Sequence, residues 1–326
     1  MLFVGYGRRT STRLQSLVRI VCSVSHEKVS NKRRRSFNVA LHCHDHEVVS
    51  LTDDAGAMER QRLPGARAKL AYFLAEEFSP GDDPEARKYY SLQYKCWPPP
   101  LFIPSVTLLQ VLFFVYYSLS AQEVPVANGP LPIDSLMIFR SDKREEIWRF
   151  LFYALVHAGW WHLIFNLTVQ LLIGLPLEMV HGSGRIAFVY LSGVVAGSLA
   201  ASVFDPDVYL VGGSGGVYAL LAAHVANVFL NFAHIDCGLC WVVVSVFVAS
   251  CDVAFAIWDR YVRVGPLDHP VSYAAHLSGA TAGLTLGFLL LKSFDQRPSR
   301  QWVWWLALTV YFTLMFSAIV WNLIVV

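Results

Sequence analysis

Charged residues are scarce in this sequence. They make up 15% of its 326 residues, whereas hydrophobic residues make up 55% and the mean hydropathy is +0.44. Soluble globular domains carry about 25% charged residues, so this composition argues against that class. The chain is therefore predicted to be an all-α polytopic membrane protein.

Residues 1–97 contain no long apolar run and hold 16 of the 26 Lys and Arg residues. Basic clusters such as Lys32–Arg35 indicate a partly disordered cytosolic tail. Residues 1–26 are rich in arginine and hydroxyl side chains and contain no acid, which is also typical of a mitochondrial presequence. Adjacent potential metal ligands at His42–His46 lack a partner motif, so we expect a solvated tail there and no metal site.

Apolar segments near the length of about 20 residues that spans a bilayer follow in the rest of the chain. We place them at 101–120, 150–173, 185–204, 214–232, 239–258, 270–291 and 302–325. The expected domains are the tail at 1–97, a six-helix core at 98–292 and a linker with a seventh span at 293–326. With the basic tail in the cytosol, the first helix runs outward.

The loop at 121–149 then lies on the outer side, where its four cations oppose the positive-inside rule. The loop is long for a connection, and Trp148 and Arg149 lie at its membrane-facing end. A folded flap in the outer interface would explain these features, so we predict one.

Ser214 is bracketed by four glycines in the stretch Gly212–Gly216, at the start of an apolar run. The run from Val217 to Phe232 is predicted to be a helix, which puts the serine at or just before its first turn. Unpaired amides and the helix dipole favour negative charge there. A serine nucleophile with a developing oxyanion needs such an environment. The alternative is a glycine-rich packing seam between membrane helices.

Other predicted spans carry ionisable side chains, which are unfavourable in a bilayer and are therefore candidates for function. His162 and Asn166 are four residues apart, so they share one helical face and could point at one substrate oxygen. His157 lies on the opposite side from Asn166, and we interpret it as a structural hydrogen bonder. The alternative for the pair is a hydrogen bond between helices.

His276 precedes three glycines at four-residue spacing, which form a groove for a neighbouring helix: Gly279, Gly283 and Gly287. A helix beginning at Ser214 could pack in this groove and bring the serine within hydrogen-bond reach of His276. Tyr218, one turn after the serine, could then stack on the imidazole. A histidine that only packs at a glycine seam is the alternative.

Ser214, Asp252 and His276 also occur in the chain order of an α/β-hydrolase triad, and the serine fits the elbow motif of that fold. The elbow requires a strand before the serine, whereas the neighbouring segments here are membrane-length helices. We therefore set the triad aside and expect Asp252 to be a helix-end residue near the outer surface.

Taken together, these motifs resemble those of rhomboid intramembrane serine proteases, over residues from about 98 to 325. The matching residues are Trp148, Arg149, His157, His162, Asn166, Gly212, Gly213, Ser214, Gly215, Tyr218, Ala275, His276, Gly279 and Gly283. A seventh span after a core of six is the arrangement of the metazoan, secretase-type branch of that family. Mitochondrial rhomboids place their extra helix before the core, which argues against a presequence.

The resemblance implies a rhomboid-like six-helix core with an additional C-terminal helix. It implies that Ser214 is the nucleophile and His276 the general base of a dyad, under a mobile loop near 260–270. The supporting residues would be His162 and Asn166 with the serine amide in the oxyanion hole, Gly212 keeping the approach to the serine open, and Tyr218 packed on the imidazole. No cofactor and no metal are expected.

The implied activity is cleavage of single-span membrane proteins of type I near the outer face, which releases ectodomains such as growth-factor precursors. The expected partners are these substrates and the lipid bilayer, without nucleic acid, and the oligomeric state is left open. The expected location is the secretory pathway, in the Golgi, plasma membrane or endosome, rather than the mitochondrial inner membrane. A non-catalytic membrane chaperone or scaffold is the alternative function, and a transporter is a third.

Overall fold

The computed structural model describes residues 99–121, 126, 135–232, 235, 237–262, 272–293 and 301–325. The predicted tail with its histidine cluster lies outside these residues. Much of the loop at 121–149 and most of the mobile loop predicted near 260–270 also lie outside them.

Seven long helices follow one another in the described residues: α1 (Phe102–Ala121), α2 (Gly159–His181), α3 (Ser183–Phe204), α4 (Ser214–Leu230), α5 (Gly238–Val262), α6 (Tyr273–Leu290) and α7 (Gln301–Ile324). Four of them, α1, α2, α3 and α7, are long and apolar enough to cross a membrane. In this part of the chain no strand forms beyond one isolated bridge between Phe139 and Leu210. The predicted fold class, an all-α polytopic membrane protein with an added C-terminal helix, is confirmed.

The second predicted span, 150–173, is wrong in its bounds. Arg149–Phe152 forms a short helix and Tyr153–Leu155 a 3₁₀ turn, after which the chain is extended and α2 begins only at Gly159. Tyr153 is fully buried inside the protein. Hydropathy does not distinguish burial in protein from burial in lipid, so the prediction started this span too early.

The described end of the loop at 121–149 is folded around Arg149, whose side chain is buried. Its guanidinium donates to the Glu146 carboxylate at 2.7 Å and to the carbonyl oxygens of Ser135 at 2.9 Å and Ile138 at 2.7 Å. A buried cation is tolerated only when it is paired and hydrogen-bonded in this way. The described part of the loop thus has the folded structure predicted for it.

Two other loop cations that oppose the positive-inside rule are also engaged. Arg140 pairs with Asp142 at 2.7 Å, and its hydrogen bond lowers the pKa of that carboxyl. Arg144 donates to the hydroxyl of Ser202 in α3 at 2.6 Å. These charges are explained by contacts with the loop itself and with α3, so they do not report on which side of the membrane the loop lies.

α4 lies at the centre of the bundle and packs against α3 and α6. Its side chains at Ala219, Leu220, Ala223, Ala226 and Val228 are fully buried. α7 packs on α3 and α6 but buries only Ala307 and Asn322 among its side chains. The candidate catalytic serine therefore begins the most enclosed helix, and the seventh helix stands at the periphery.

Candidate active site

Ser214 is the first residue of α4, after Gly213 at the N-cap. The helix starts with the amide of Val217 donating to the carbonyl of Gly213 at 2.9 Å. Ser214 is buried, with 8% of its surface exposed. The serine therefore lies in the first turn, as predicted, where free backbone amides and the helix dipole favour a negative charge.

His276 lies in the first turn of α6, and its Nε2 atom is 2.9 Å from the Ser214 hydroxyl oxygen. Ser272 caps this helix by accepting from the amide of Ala275, and its own hydroxyl donates to Asp205 at 2.6 Å. The start of α6 is thereby tied to the connection that follows α3. The imidazole is consequently held in place against the serine.

The approach of α4 to α6 depends on the predicted glycine groove. A Cβ atom on Gly279 would overlap the carbonyl oxygen of Gly215, and one on Gly283 would overlap that of Ala219. Small residues let two helices come this close. The predicted packing of the serine helix in the groove is confirmed, and it is what brings two residues 62 positions apart into contact.

Tyr218 stacks on the His276 ring, with ring centroids 4.4 Å apart and an angle of 14° between the planes. This is the contact that its position one turn after Ser214 predicted. The tyrosine also makes a bond that was not predicted, because its hydroxyl donates to the Asp252 carboxylate at 2.8 Å. One side chain thus contacts both the imidazole and a carboxylate.

The prediction for Asp252 is wrong. The residue lies well within α5 rather than at a helix end, and its Oδ2 atom is 3.8 Å from Nδ1 of His276. The prediction failed because the carboxylate was considered only as part of an α/β-hydrolase elbow. The absence of that fold says nothing about which side chains the helices bring together.

His162 lies in α2 against Gly212, two residues before the serine. Gly212 has a φ of +96°, and a Cβ atom there would come within 2.6 Å of Nε2 of His162. A side chain at this position would be strained by its backbone angle and would also strike the imidazole. Gly212 therefore makes room for His162 as well as giving the turn its shape.

Asn166 follows His162 by one turn on the same helix and is buried. Its amide nitrogen donates to the His162 carbonyl at 2.8 Å. Among the described residues its Oδ1 atom has no hydrogen-bond partner. Because an amide nitrogen carries two hydrogens, Asn166 retains one further donor.

His157 accepts a hydrogen bond from the amide of Gly213 at 3.4 Å, and its ring lies edge-on to that of His162 at 5.3 Å. It therefore supports the glycine turn, in agreement with its interpretation as a structural hydrogen bonder. No group of three or more potential metal ligands occurs within the described ranges.

Sequence reasoning missed the polar side chains that lie against the turn at Gly212 and Gly213. Gln110 of α1 donates to the hydroxyl of Tyr190 and to the Ala154 carbonyl, both at 3.0 Å. A Cβ atom on Gly213 would approach both Gln110 and Tyr190. The available signal was a glutamine within an otherwise apolar span, which is unusual unless it has a partner.

Known proteins share similarity with this chain over most of its length. A rhomboid domain matches residues 144–293. Rhomboid-related protein 3 of Homo sapiens is 39% identical over 302 residues, which cover 90% of this chain and 72% of that protein. Rhomboid-related protein 2 of Mus musculus is 39% identical over 242 residues, which cover 73% of this chain and 79% of that protein.

A further relative carries a different description. Inactive rhomboid-related protein 2 of Caenorhabditis elegans is 34% identical over 220 residues, which cover 67% of this chain and 62% of that protein. The chain is therefore similar both to a relative described as inactive and to relatives whose descriptions do not include that word. Given its helical fold and this identity over most of its length, the chain belongs to the rhomboid family of membrane proteins.

Proposed function

We propose that this chain is an intramembrane serine endopeptidase in which Ser214 is the nucleophile and His276 the general base. The observation that carries the proposal is the 2.9 Å contact between the serine hydroxyl and Nε2 of the imidazole. Rhomboid family membership supports a protease or protease-like role, and the family also contains a relative described as inactive. No cofactor takes part in the proposed chemistry.

In the proposed reaction, His276 Nε2 takes the proton from the Ser214 hydroxyl as its oxygen attacks the peptide carbonyl. The tetrahedral oxyanion collapses, the C–N bond breaks, and the imidazolium returns the proton to the leaving amine. A water molecule then attacks the acyl-enzyme, with the imidazole again accepting a proton. As the ester C–O bond breaks, the imidazolium returns this proton to the Ser214 oxygen, which regenerates the serine hydroxyl and releases the new carboxyl terminus.

We assign the oxyanion hole to the Ser214 backbone amide, the His162 ring and the Asn166 side-chain amide. The Ser214 amide lies in the first turn of α4, where backbone amides have no partner within the helix. The His162 ring lies against Gly212, beside the serine. The remaining donor of Asn166 supports its assignment. Preorganised donors of this kind stabilise the charge that develops in the transition state. Gly212 keeps this corner of the site free of a side chain.

The proposed substrates are single-span proteins of type I, cleaved near the outer face so that their ectodomains are released. A helical peptide bond is shielded by its own turn, so the substrate must unwind at the site. Small or helix-breaking residues at the outer end of its span would favour this. The proposal includes a cytosolic basic tail at 1–97, a catalytic core at 98–292, a seventh-helix segment at 293–326 and residence in the secretory pathway.

The test is cleavage of a single-span reporter substrate by the purified full chain in detergent. The reporter carries glycine and alanine at the outer end of its span. Ser214→Ala and His276→Ala should each abolish cleavage, whereas the matched control Ser278→Ala should retain it, because that hydroxyl only donates to the Ala275 carbonyl on its own helix. Cleavage that survives Ser214→Ala would overturn the proposal.

A fluorophosphonate should also label the wild-type chain and the Ser278→Ala control but not Ser214→Ala, since such reagents react with an activated serine. Labelling that persists in Ser214→Ala would identify a different nucleophile.

The competing function is a non-catalytic scaffold that steers membrane clients, and the inactive relative is the observation that favours it. A scaffold would bind single-span clients equally well as wild type and as Ser214→Ala, and every cellular effect would be unchanged by that substitution. Folded wild-type protein that is inert on several reporters would favour this function over the protease.

A further inference from the structure

A carboxylate lies in the transmembrane bundle beside the candidate dyad. Asp252 and Ala249, three residues apart on α5, both accept from the Tyr218 hydroxyl of α4, so they lie on the face of α5 that turns toward α4. Its Oδ2 atom accepts the Tyr218 hydroxyl at 2.8 Å, and 19% of its side chain is exposed. An ionisable side chain within an apolar helix is unfavourable unless it has a partner. Such a residue is therefore a candidate for function.

The imidazole of His276 uses only one of its two nitrogens in hydrogen bonding. Nε2 contacts Ser214, whereas Nδ1 is buried and has no hydrogen-bond partner among the described residues. The side chain that faces Nδ1 is Asp252, at 3.8 Å. This distance is too long for a direct hydrogen bond but short enough for a strong electrostatic interaction whenever the imidazole is protonated.

Tyr218 connects the carboxylate to the imidazole. Its ring lies flat on His276, and its hydroxyl holds Asp252 on the Nδ1 side of that ring. The hydroxyl also lies 3.3 Å from the Ala249 carbonyl, so the position of the tyrosine is set by α5 as well as by its own helix. Rotation of the imidazole is therefore restricted by a stack on its face and by a charge at one edge.

We propose that Asp252, held by Tyr218, is a positioning residue for His276. This inference rests on the proposed function. A carboxylate on the Nδ1 side favours a proton on that nitrogen, which leaves Nε2 free to accept the serine proton. When Nε2 has accepted it, the carboxylate stabilises the positive imidazolium. The proton stays on the imidazole until the leaving amine takes it, and Asp252 itself neither gains nor loses one.

Asp252 could instead serve only to fasten α5 to α4 through Tyr218. The two roles predict different kinetics. A fastening role affects stability and substrate binding, because it acts on the spacing of the helices. A positioning role affects kcat with KM unchanged, because the interaction strengthens only as the imidazolium forms.

The experiment compares full-length Asp252→Asn, Asp252→Glu, Tyr218→Phe and the double variant Tyr218→Phe/Asp252→Asn with wild type on the single-span reporter. kcat, KM and the thermal unfolding midpoint are measured for each. Asp252→Asn should lower kcat about tenfold or more and leave KM within about twofold. The loss should be smaller than the roughly 10⁴-fold that follows loss of a carboxylate bonded directly to the base. Asp252→Glu, which keeps the charge, should recover part of kcat.

Tyr218→Phe keeps the stacked ring and removes only the hydroxyl, so it should also lower kcat, and the double variant should be no slower than Asp252→Asn alone. Ser250→Ala, at an exposed position of the same helix, is the control and should match wild type. An unchanged kcat in both single variants, or losses confined to KM and the unfolding midpoint, would overturn the inference. If Asp252→Asn does not fold, the kcat, KM and unfolding midpoint of Tyr218→Phe decide whether the positioning role holds.

The result also separates this inference from the proposal on which it rests. Cleavage that requires Ser214 but is indifferent to Asp252 and Tyr218 overturns the positioning role alone. A wild-type chain as inert as Ser214→Ala overturns the protease and the positioning role together.

Discussion

Gly283 of α6 faces the backbone of Ala219 in α4 so closely that any Cβ atom on the glycine would overlap the alanine carbonyl oxygen. The two helices that carry the candidate base and nucleophile are thus in backbone contact. This close approach accompanies the 2.9 Å distance between His276 and Ser214.

Gly283→Val should therefore push α6 away from α4. We expect it to destabilise the chain by about 2 kcal/mol, as overpacking does, and to abolish most reporter cleavage. The control is Gly184→Ala, where nothing lies within 4 Å of the added Cβ atom. It should retain activity and change stability by less than about 1 kcal/mol. Thermal unfolding and cleavage rates measure both, and full activity in Gly283→Val would contradict the role of the groove.

Gly212→Ala tests whether this glycine makes room for His162. The substitution combines an unfavourable backbone angle with a collision against the imidazole, so both stability and kcat should fall. Gly182→Ala provides the matched control, because its φ of +90° is similar but nothing lies within 4 Å. That variant should lose about 1–3 kcal/mol of stability, because a φ of 90° with a ψ of 151° is a conformation that only glycine adopts readily, and it should keep its kcat. Equal kcat losses in the two variants would assign the effect to backbone strain alone.

His162→Ala should lower kcat far more than it raises KM, because an oxyanion donor acts mainly in the transition state. Loss of one such donor typically reduces kcat by about 10²-fold or more. Trp161→Phe, at the neighbouring and half-exposed position, should have little effect on either constant. A change seen only in KM would count against the assignment of His162 to the oxyanion hole.

Arg149→Ala should unfold the described end of the loop at 121–149, which is folded around this side chain. The substitution leaves the Glu146 carboxylate and two backbone carbonyls without their donor, which should destabilise the chain by about 2–3 kcal/mol, since Glu146 is partly exposed. Arg140→Ala removes a more exposed pair and should change stability by less than about 1 kcal/mol. Limited proteolysis in the loop and thermal unfolding would reveal the difference. Similar behaviour of the two variants would argue against Arg149 as the anchor of the loop.

The candidate site was predictable where local spacing determined it. The glycines around Ser214 implied a helix start. The glycines at four-residue spacing from Gly279 to Gly287 implied a groove that a neighbouring helix could enter. The separation of four residues put Tyr218 on the face of the serine. These are properties of a single helix or of one helical surface, so the sequence is sufficient to read them.

The Asp252 contact was not predictable in the same way. The position of its carboxylate depends on how α5 is rotated and on its depth beside α4, and neither follows from the apolar pattern of α5. The bounds of α2 failed for a related reason, since Tyr153 is apolar enough to resemble a lipid-facing residue but is buried in protein.

The sequence by itself determined that the chain is a helical membrane protein and which residues begin and line the helices of the site. It did so because hydropathy and helical spacing are local properties of the chain. Only the tertiary structure decided that His276 meets Ser214 at hydrogen-bond distance, and that a carboxylate from a third helix lies on the far side of the imidazole. These relations depend on the mutual depth and rotation of α4, α5 and α6, which are fixed when their surfaces pack together.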